Sequence, residues 1–496
     1  MTPGPPAGDI AARLARLTPA QRELLARRLA GNDRADRVRA IRRREPADPV
    51  PMTFAQWRLW FLEQFTPGTN AWNAPAVARL HGPLDYDALR ASLSMIVERH
   101  ATLRTTFVAP GGKPAPVVHT GVTVDVPVAD VSPGTSETRE SEVQRLIAEE
   151  VRRPFDLESD LMVRARVLRL GAEEHVLMLV MHHIACDGWS KGLLIGELCT
   201  AYDAITAGVE PTLPELTIEY ADFAVWQRRW LSGDELDRLS AYWRERLAGH
   251  APALEIRTDH PRPRTSSFQG AVQWIAVPGS LARGAITIGR QQGATPFMTL
   301  MAAFKALLHA LSGQEDLLVG SPAAMRNRPE LERVIGFFAN TLVYRTDLSG
   351  QPSFRDLVGR VRDTALGVYA HQELPFEKIV EAVRPPRDPG RNPLVQVNVR
   401  VEGREPELKL RGIRATPIVI DPGIARFDLA IELGVTDDGF AGYLEYDSAL
   451  FDSCTAAAFA RGFSSVLDAV VQWPDHPLAT LEPIREIAAR RTHLGG

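Results

Sequence analysis

The residues best equipped for chemistry lie in one short stretch, Met181-His182-His183-Ile184-Ala185-Cys186-Asp187-Gly188-Trp189. Two adjacent histidines are followed by an aspartate four residues after the second, then by a glycine. An imidazole of ordinary pKa is a suitable base for an amine or a hydroxyl, and a nearby carboxylate can orient the ring or the backbone carrying it. Neighbouring strand residues point to opposite sides, so His182 and His183 should divide the work, one facing a cavity and the other held in its wall. Gly188 should let the chain turn sharply. Two other readings stay open at this point: a histidine satisfied in the core, and two histidines with a carboxylate as ligands of an open metal site. No further cluster of His or Cys in the sequence supports a metal.

Such groups need a rigid mount. Residues 176–181 form an unbroken apolar run, which reads as a strand buried on both faces. After the motif, Ser190 can cap a helix on which Leu194, Leu198 and Tyr202 recur at helical spacing. The histidines therefore sit at a strand-to-helix connection.

A chain of 496 residues is too long for one ordinary core, so two or three domains are expected. Hydrophobic residues at 45% and charged residues at 24% describe a soluble globular protein. The net charge of -4 offers no footprint for nucleic acid. Cys186, Cys199 and Cys454 are the three cysteines, an odd number without metal spacing, which suits a reducing compartment. Neither a signal peptide nor an apolar run long enough to span a bilayer is evident, so the expected location is cytoplasmic, with no membrane partner.

Residues 1–50 read as an appendage: a short apolar stripe, a second helix opened by Thr18-Pro19-Ala20-Gln21, and a solvated, arginine-rich linker, Arg34 to Arg44. Past residue 51, strand and helix patterns alternate twice. A helix opened by Asp85 runs into a strand start near residue 103, a weak strand spans 122–128 and a helix 141–153, and two strands lead to the histidines. The proline-rich stretch 208–216 marks a boundary. Beyond it come a long helical region reaching Leu247, a strand at 271–277, and a helix set by Thr295 and Pro296 and ended by Gly313. Two related α/β lobes with a cleft between them are the economical architecture, at 51–215 and 216–485, with a tail at 486–496. Residue identity does not reveal a repeat.

Seven stretches, in order, resemble the condensation domains of nonribosomal peptide synthetases. They are Phe54-Ala55-Gln56-Trp57-Arg58-Leu59-Trp60, the segment from Arg99 to Phe107, the HHxxxDG motif, Tyr220-Ala221-Asp222-Phe223-Ala224-Val225-Trp226, Ile335-Gly336-Phe337-Phe338-Ala339-Asn340-Thr341, His371-Gln372-Glu373-Leu374-Pro375-Phe376-Glu377, and Arg387-Asp388-Pro389-Gly390-Arg391-Asn392-Pro393-Leu394. The resemblance implies a pseudodimer of two chloramphenicol-acetyltransferase-like lobes set in a V around a central tunnel. It implies an acyltransferase that joins substrates held as phosphopantetheine thioesters on donor and acceptor carrier proteins, as in antibiotic biosynthesis. It implies no cofactor and no metal, and the chain is expected to be a monomer. The wording resembles most the members that join two L-configured residues; an ester-forming member and a non-catalytic recruitment platform are the rival activities.

By the same resemblance, His183 is the catalytic histidine, as base or as positioning group, and Gly188 keeps the approach open and lends its amide to an oxyanion. His182 is a structural neighbour. Asp187 is expected to pair with Arg104, tying the motif to the first lobe. Gly336, Asn340 and Thr341 belong to a loop flooring the tunnel, Arg391 and Asn392 brace the cleft, and Trp57, Trp60 and Trp226 are core. Cys186 stands where serine is usual, and Val395 and Arg400 where more apolar residues are, which alters the channel.

Overall fold

The computed structural model describes residues 40–45, 49–131, 135–249, 253–386, 388–403 and 407–493. Most of the expected appendage, and Arg387, lie outside the described residues.

The first lobe runs α1 (Phe54–Phe65), β1 (Asn73–His81), α2 (Tyr86–Arg99), β2 (Thr105–Val108), β3 (Ala115–Val118), β4 (Val128–Asp130), α3 (Ser136–Arg152), β5 (Val163–Arg169), β6 (Glu174–His182) and α4 (Gly188–Thr206). The second adds α5 (Tyr220–Trp230), α6 (Gly233–Arg246), β7 (Gly270–Pro278), α7 (Gly279–Gln291), α8 (Pro296–Ser312), β8 (Asp316–Ala323), β9 (Asn340–Asp347), α9 (Phe354–Tyr369) and α10 (Phe376–Val383). It closes with β10 (Val397–Glu402), β11 (Arg414–Pro417), β12 (Leu429–Thr436), β13 (Gly439–Asp447), α11 (Ser453–Gln472) and α12 (Glu482–His493).

Local chemistry sets these boundaries. Thr53 and Gln56 close a reciprocal capping box at the start of α1. On α8, Thr295 caps, Pro296 holds the first position and Gly313 ends the helix at φ +75°. The long helical region before the second sheet breaks at Leu231 and Ser232 into α5 and α6.

The first sheet has the order β11-β1-β6-β5-β4 and the second β7-β13-β12-β10-β8-β9. Within them, β1-β6-β5-β4 and β7-β13-β12-β10 share one plan: an antiparallel step, a second antiparallel step, then a parallel one. The lobes repeat each other in topology, the level at which residue identity is silent. Each sheet packs on helices to form its own large apolar core.

Four expectations about the chain change. The boundary at 215/216 is crossed by β11, which leaves the second half of the sequence to pair with β1. That pairing covers the free edge of the first sheet. Residues 486–493 are not a tail but continue α12, where Ile484 is buried and Ile487 packs on the second core. The end of the arginine-rich linker is docked rather than free: Ile41 is buried among Ile218, Tyr220, Phe223 and Phe338, and the Arg44 amide donates to Asp222 at 2.9 Å, while Arg42 and Arg43 stay exposed. Finally, α11 has the length and apolarity to cross a membrane, yet its Ala456, Phe459, Phe463, Val466 and Leu467 lie in the second core.

Candidate active site

Strand β6 is buried along almost its whole length, and it ends at His182. A 3₁₀ turn, His183–Ala185, and Cys186 then lead into α4. The cap of α4 is Asp187 and not Ser190: its carboxylate accepts from the Ser190 amide at 2.8 Å. The one-step alternation separates the two imidazoles as expected.

His182 is buried and fully engaged. Its Nδ1 accepts from the Ile184 amide at 3.1 Å, so Nε2 carries the proton and donates to Glu63 of α1 at 3.2 Å. A ring spent on both nitrogens cannot ligate a metal. His183 faces the other way, into a chamber of about 800 Å³ between the lobes. Its Nδ1 lies 3.0 Å from the Cys186 carbonyl, which can only accept. The proton is therefore on Nδ1, and Nε2 keeps its lone pair. Burial, and then the positive charge of Arg426, hold this imidazole well below the usual histidine value, against the opposing pull of the Cys186 carbonyl. It is neutral at pH 7.

Asp187 does not pair with Arg104. Its Oδ1 meets Arg326 Nη2 at 3.1 Å and its Oδ2 accepts from the Phe338 amide at 3.0 Å, so it fastens the motif to the second lobe. Arg326 and Asp187 are 2% and 3% exposed, and the guanidinium also lies over the Phe338 ring at 3.8 Å and donates to Ser190 Oγ. Arg104 is committed elsewhere: it donates to the Glu98 and His119 carbonyls and pairs with Glu98 at 3.5 Å, bracing the β2–β3 hairpin. The end of α2 offers it bare carbonyls, which a cation satisfies.

Gly188 has no positive φ, so the sharp turn is not why it is glycine. A Cβ there would stand 2.8 Å from Arg400 Nη2 and 3.4 Å from Glu402 Oε1. The second lobe presses on the motif at this residue, and a side chain would fill the gap. As the first residue of α4, its N–H has no intrahelical acceptor and points with the positive end of the helix.

Asn340 and Thr341 line the chamber at the start of β9. Asn340 is pinned, its Nδ2 donating to the Gln372 and Leu374 carbonyls and its Oδ1 accepting from Phe376. Gly336 does not line the chamber; it is buried beneath Tyr220, whose ring a Cβ would overlap, and its backbone exchanges hydrogen bonds with Ser190 Oγ. Phe337, tilted against His183 at 5.9 Å, takes that place. Trp60 is core, but Trp57 is 45% exposed, and Trp226 lines a small cleft beside the floor loop. Asn392 lines the chamber and donates to the Arg426 carbonyl, while Arg391 pairs with Glu255 and Asp388.

Sequence reasoning missed Arg326, Glu63 and the charged face of the second sheet. Cross-strand register lines Arg400, Glu432, Tyr443 and Trp274 in one row, with Glu445 one row along and Glu402 on the same face of β10. Arg400 donates to Glu432 at 3.2 Å and to Glu402. Its alternation with Glu402 is legible in the sequence; its partnership with Glu432 needs the register.

The sequence profile of the Condensation domain family matches residues 47–490. The chain belongs to that family. As a condensation domain it shares the two-lobed, chloramphenicol-acetyltransferase-like fold of its structural neighbours. The X-domain from teicoplanin biosynthesis superposes with a TM-score of 0.82 at 29% identity, covering 89% of this chain and 99% of that one. The first condensation domain of the calcium-dependent antibiotic synthetase gives 0.75 at 20% identity over 88% and 99%, which speaks for the fold alone. In sequence, a component of the linear gramicidin synthase of Brevibacillus parabrevis is 42% identical over 87% of this chain and 6% of that protein. Phosphinothricin tripeptide synthetase PhsC of Streptomyces viridochromogenes is 39% identical over 95% and 44%. The condensation domain thus spans less than half the length of these synthetases.

Proposed function

We propose that this domain joins a donor acyl or aminoacyl thioester, held on one carrier protein, to the amine of an acceptor, forming an amide in nonribosomal peptide synthesis. The observation that carries the reading is the His183 tautomer: Nδ1–H is fixed on the Cys186 carbonyl, and Nε2 is left as an acceptor in a chamber built by both lobes. A thioester is already activated, so the protein need mainly align two reactants and manage protons. A neutral amine attacks the thioester carbon, and the nitrogen of the resulting intermediate is far more acidic than a free ammonium. A weak base such as His183 suffices to take that proton and return it to the leaving thiolate. The Gly188 N–H, at the positive end of α4, is suited to the oxyanion.

A recruitment platform is the second reading, favoured by the match to the X-domain that was solved in complex with OxyB, at 30% identity and a TM-score of 0.80. The test is a single-turnover assay by intact-protein mass spectrometry, with a panel of aminoacyl-loaded donor and acceptor carriers. Amide on the acceptor carrier that disappears in His183→Ala supports condensation. Carrier or tailoring-enzyme binding without product from any pair favours the platform.

A further inference from the structure

The amine must reach the thioester carbon without its proton, and nothing in the His183 arrangement removes it. An ammonium entering the chamber keeps its proton near neutral pH, and a histidine held well below its ordinary pKa is a poor acceptor for it. The chamber wall that the second lobe supplies is better equipped. This wall carries three carboxylates on the sheet, Glu402, Glu432 and Glu445, against two guanidiniums, Arg400 on β10 and Arg426 on the loop before β12. Arg400 is taken up by Glu402 and Glu432. Arg426 is anchored by its Nε bond to the Ala71 carbonyl at 2.7 Å and lies over Trp72, while its charge still acts on Glu445. Glu445 receives the Arg426 amide on Oε1 at 3.1 Å and lines the chamber. With all three carboxylates ionised, the wall holds one negative charge in excess.

We propose that Glu445 receives the acceptor's ammonium and takes its proton before attack, leaving His183 the second proton, which it passes to sulfur. This rests on the amide-forming reading. The steps balance. R–NH₃⁺ gives a proton to the Glu445 carboxylate; the freed amine forms the C–N bond; His183 Nε2 takes the proton from that nitrogen. The C–S bond then breaks, its electron pair leaves on sulfur, and His183 protonates the thiolate. Glu445 returns its proton to water, so ammonium and thioester become amide, thiol and one proton. The groups facing Glu445 agree with the role. Burial, with smaller contributions from Glu432 and Asp421, outweighs Arg426 and lifts its carboxyl to about 7, the range a free amine requires. The same excess of negative charge favours an amine over a hydroxyl, which brings no cation.

The experiment compares two acceptors on the full chain: the aminoacyl carrier that gives product with the wild type, and its aminooxy analogue, whose nitrogen is already neutral at pH 7. Glu445→Gln keeps an acceptor for the Arg426 amide. It should slow the amine reaction at pH 7 by ~100-fold, the low end of the usual acid–base contribution, while changing the aminooxy rate less than about twofold. Raising the pH to 9 should restore the amine rate. Glu445→Asp, which draws the carboxylate back, should lower the same ratio by less. Because an unfolded fraction lowers both rates alike, the ratio stays readable in a poorly folding variant. Equal slowing of both acceptors, or no slowing, overturns the role of Glu445 while the wild-type amide stands. Ester from a hydroxyl acceptor, with no amide from any amine, overturns the amide-forming reading and this inference together.

Discussion

Strand β6 sits between β1 and β5 as β13 sits between β7 and β12, yet the two are buried in opposite styles. Eight of the nine residues of β6 are buried, so both its faces are scaffold and its chemistry waits just past its end, in His183. Strand β13 buries Phe440 and Leu444 on one face and turns Tyr443 and Glu445 toward the chamber on the other. One plan thus serves two purposes. The first lobe delivers a single fixed imidazole from a rigid strand end, and the second spreads charge over an open sheet face. The lobes then lock at Asp187, so a motif encoded in one depends on the other for its position.

The sharpest break in that comparison is His183→Ala. The ring faces the chamber and holds up no core, so the single-turnover rate should fall by ~10²–10⁴-fold, the usual range for a positioned acid–base group. The thermal midpoint should be unchanged. A fall in stability of similar weight would make the histidine scaffold rather than chemistry.

Asp187→Ala should act through the fold instead. It strands Arg326 in a buried site and removes the α4 cap, costing about 3–5 kcal/mol in denaturant unfolding. Combined with Arg326→Ala it should show a coupling on the order of 1–3 kcal/mol, whereas Asp187→Ala with Arg104→Ala should add within roughly 0.5 kcal/mol. The opposite pattern would return the motif to the first lobe.

This pair also marks how far the sequence can be read. The strand-to-helix mount, the split between the histidines and the two-lobed plan follow from periods of two and 3.6 and from seven motifs in order, all local signals. Arg326 lies in Arg326-Asn327-Arg328-Pro329, a polar run in which nothing local separates the buried arginine from an exposed one. Ile41 looks like one apolar residue in a solvated linker, and nothing local marks β11 as a strand that pairs with β1, because their partners lie far away in sequence. Arg400 can be seen to break an apolar pattern, but the carboxylates that accept it belong partly to another strand.

Gly188→Ala tests the gap between lobes. Its Cβ must displace a guanidinium that two carboxylates hold, an overpacking cost of about 1–3 kcal/mol. The single-turnover rate should drop by ~10-fold, on the scale of about 1.4 kcal/mol per decade. In an Arg400→Ala background the same substitution should cost less, because the obstacle is gone; an equal cost would mean the glycine serves the α4 backbone alone.

The smallest effect should come from Glu445→Gln read as stability. The native carboxyl holds its proton to about pH 7, while the unfolded chain releases it near the ordinary glutamate value of 4.5. Between those values the native state binds more protons, so this group's contribution to stability is complete below 4.5 and is lost as the pH rises through 7. The neutral amide has no such loss. The variant should therefore be more stable than wild type at pH 8, by about 1–2 kcal/mol once the water still reaching the chamber is allowed for, and should lose that advantage below pH 4.5. Paired unfolding curves at about pH 8 and pH 4 check it. A gain confined to the higher pH would mean that the second lobe gives up stability to keep a proton acceptor on its open face, a cost that β6, buried on both sides, does not carry.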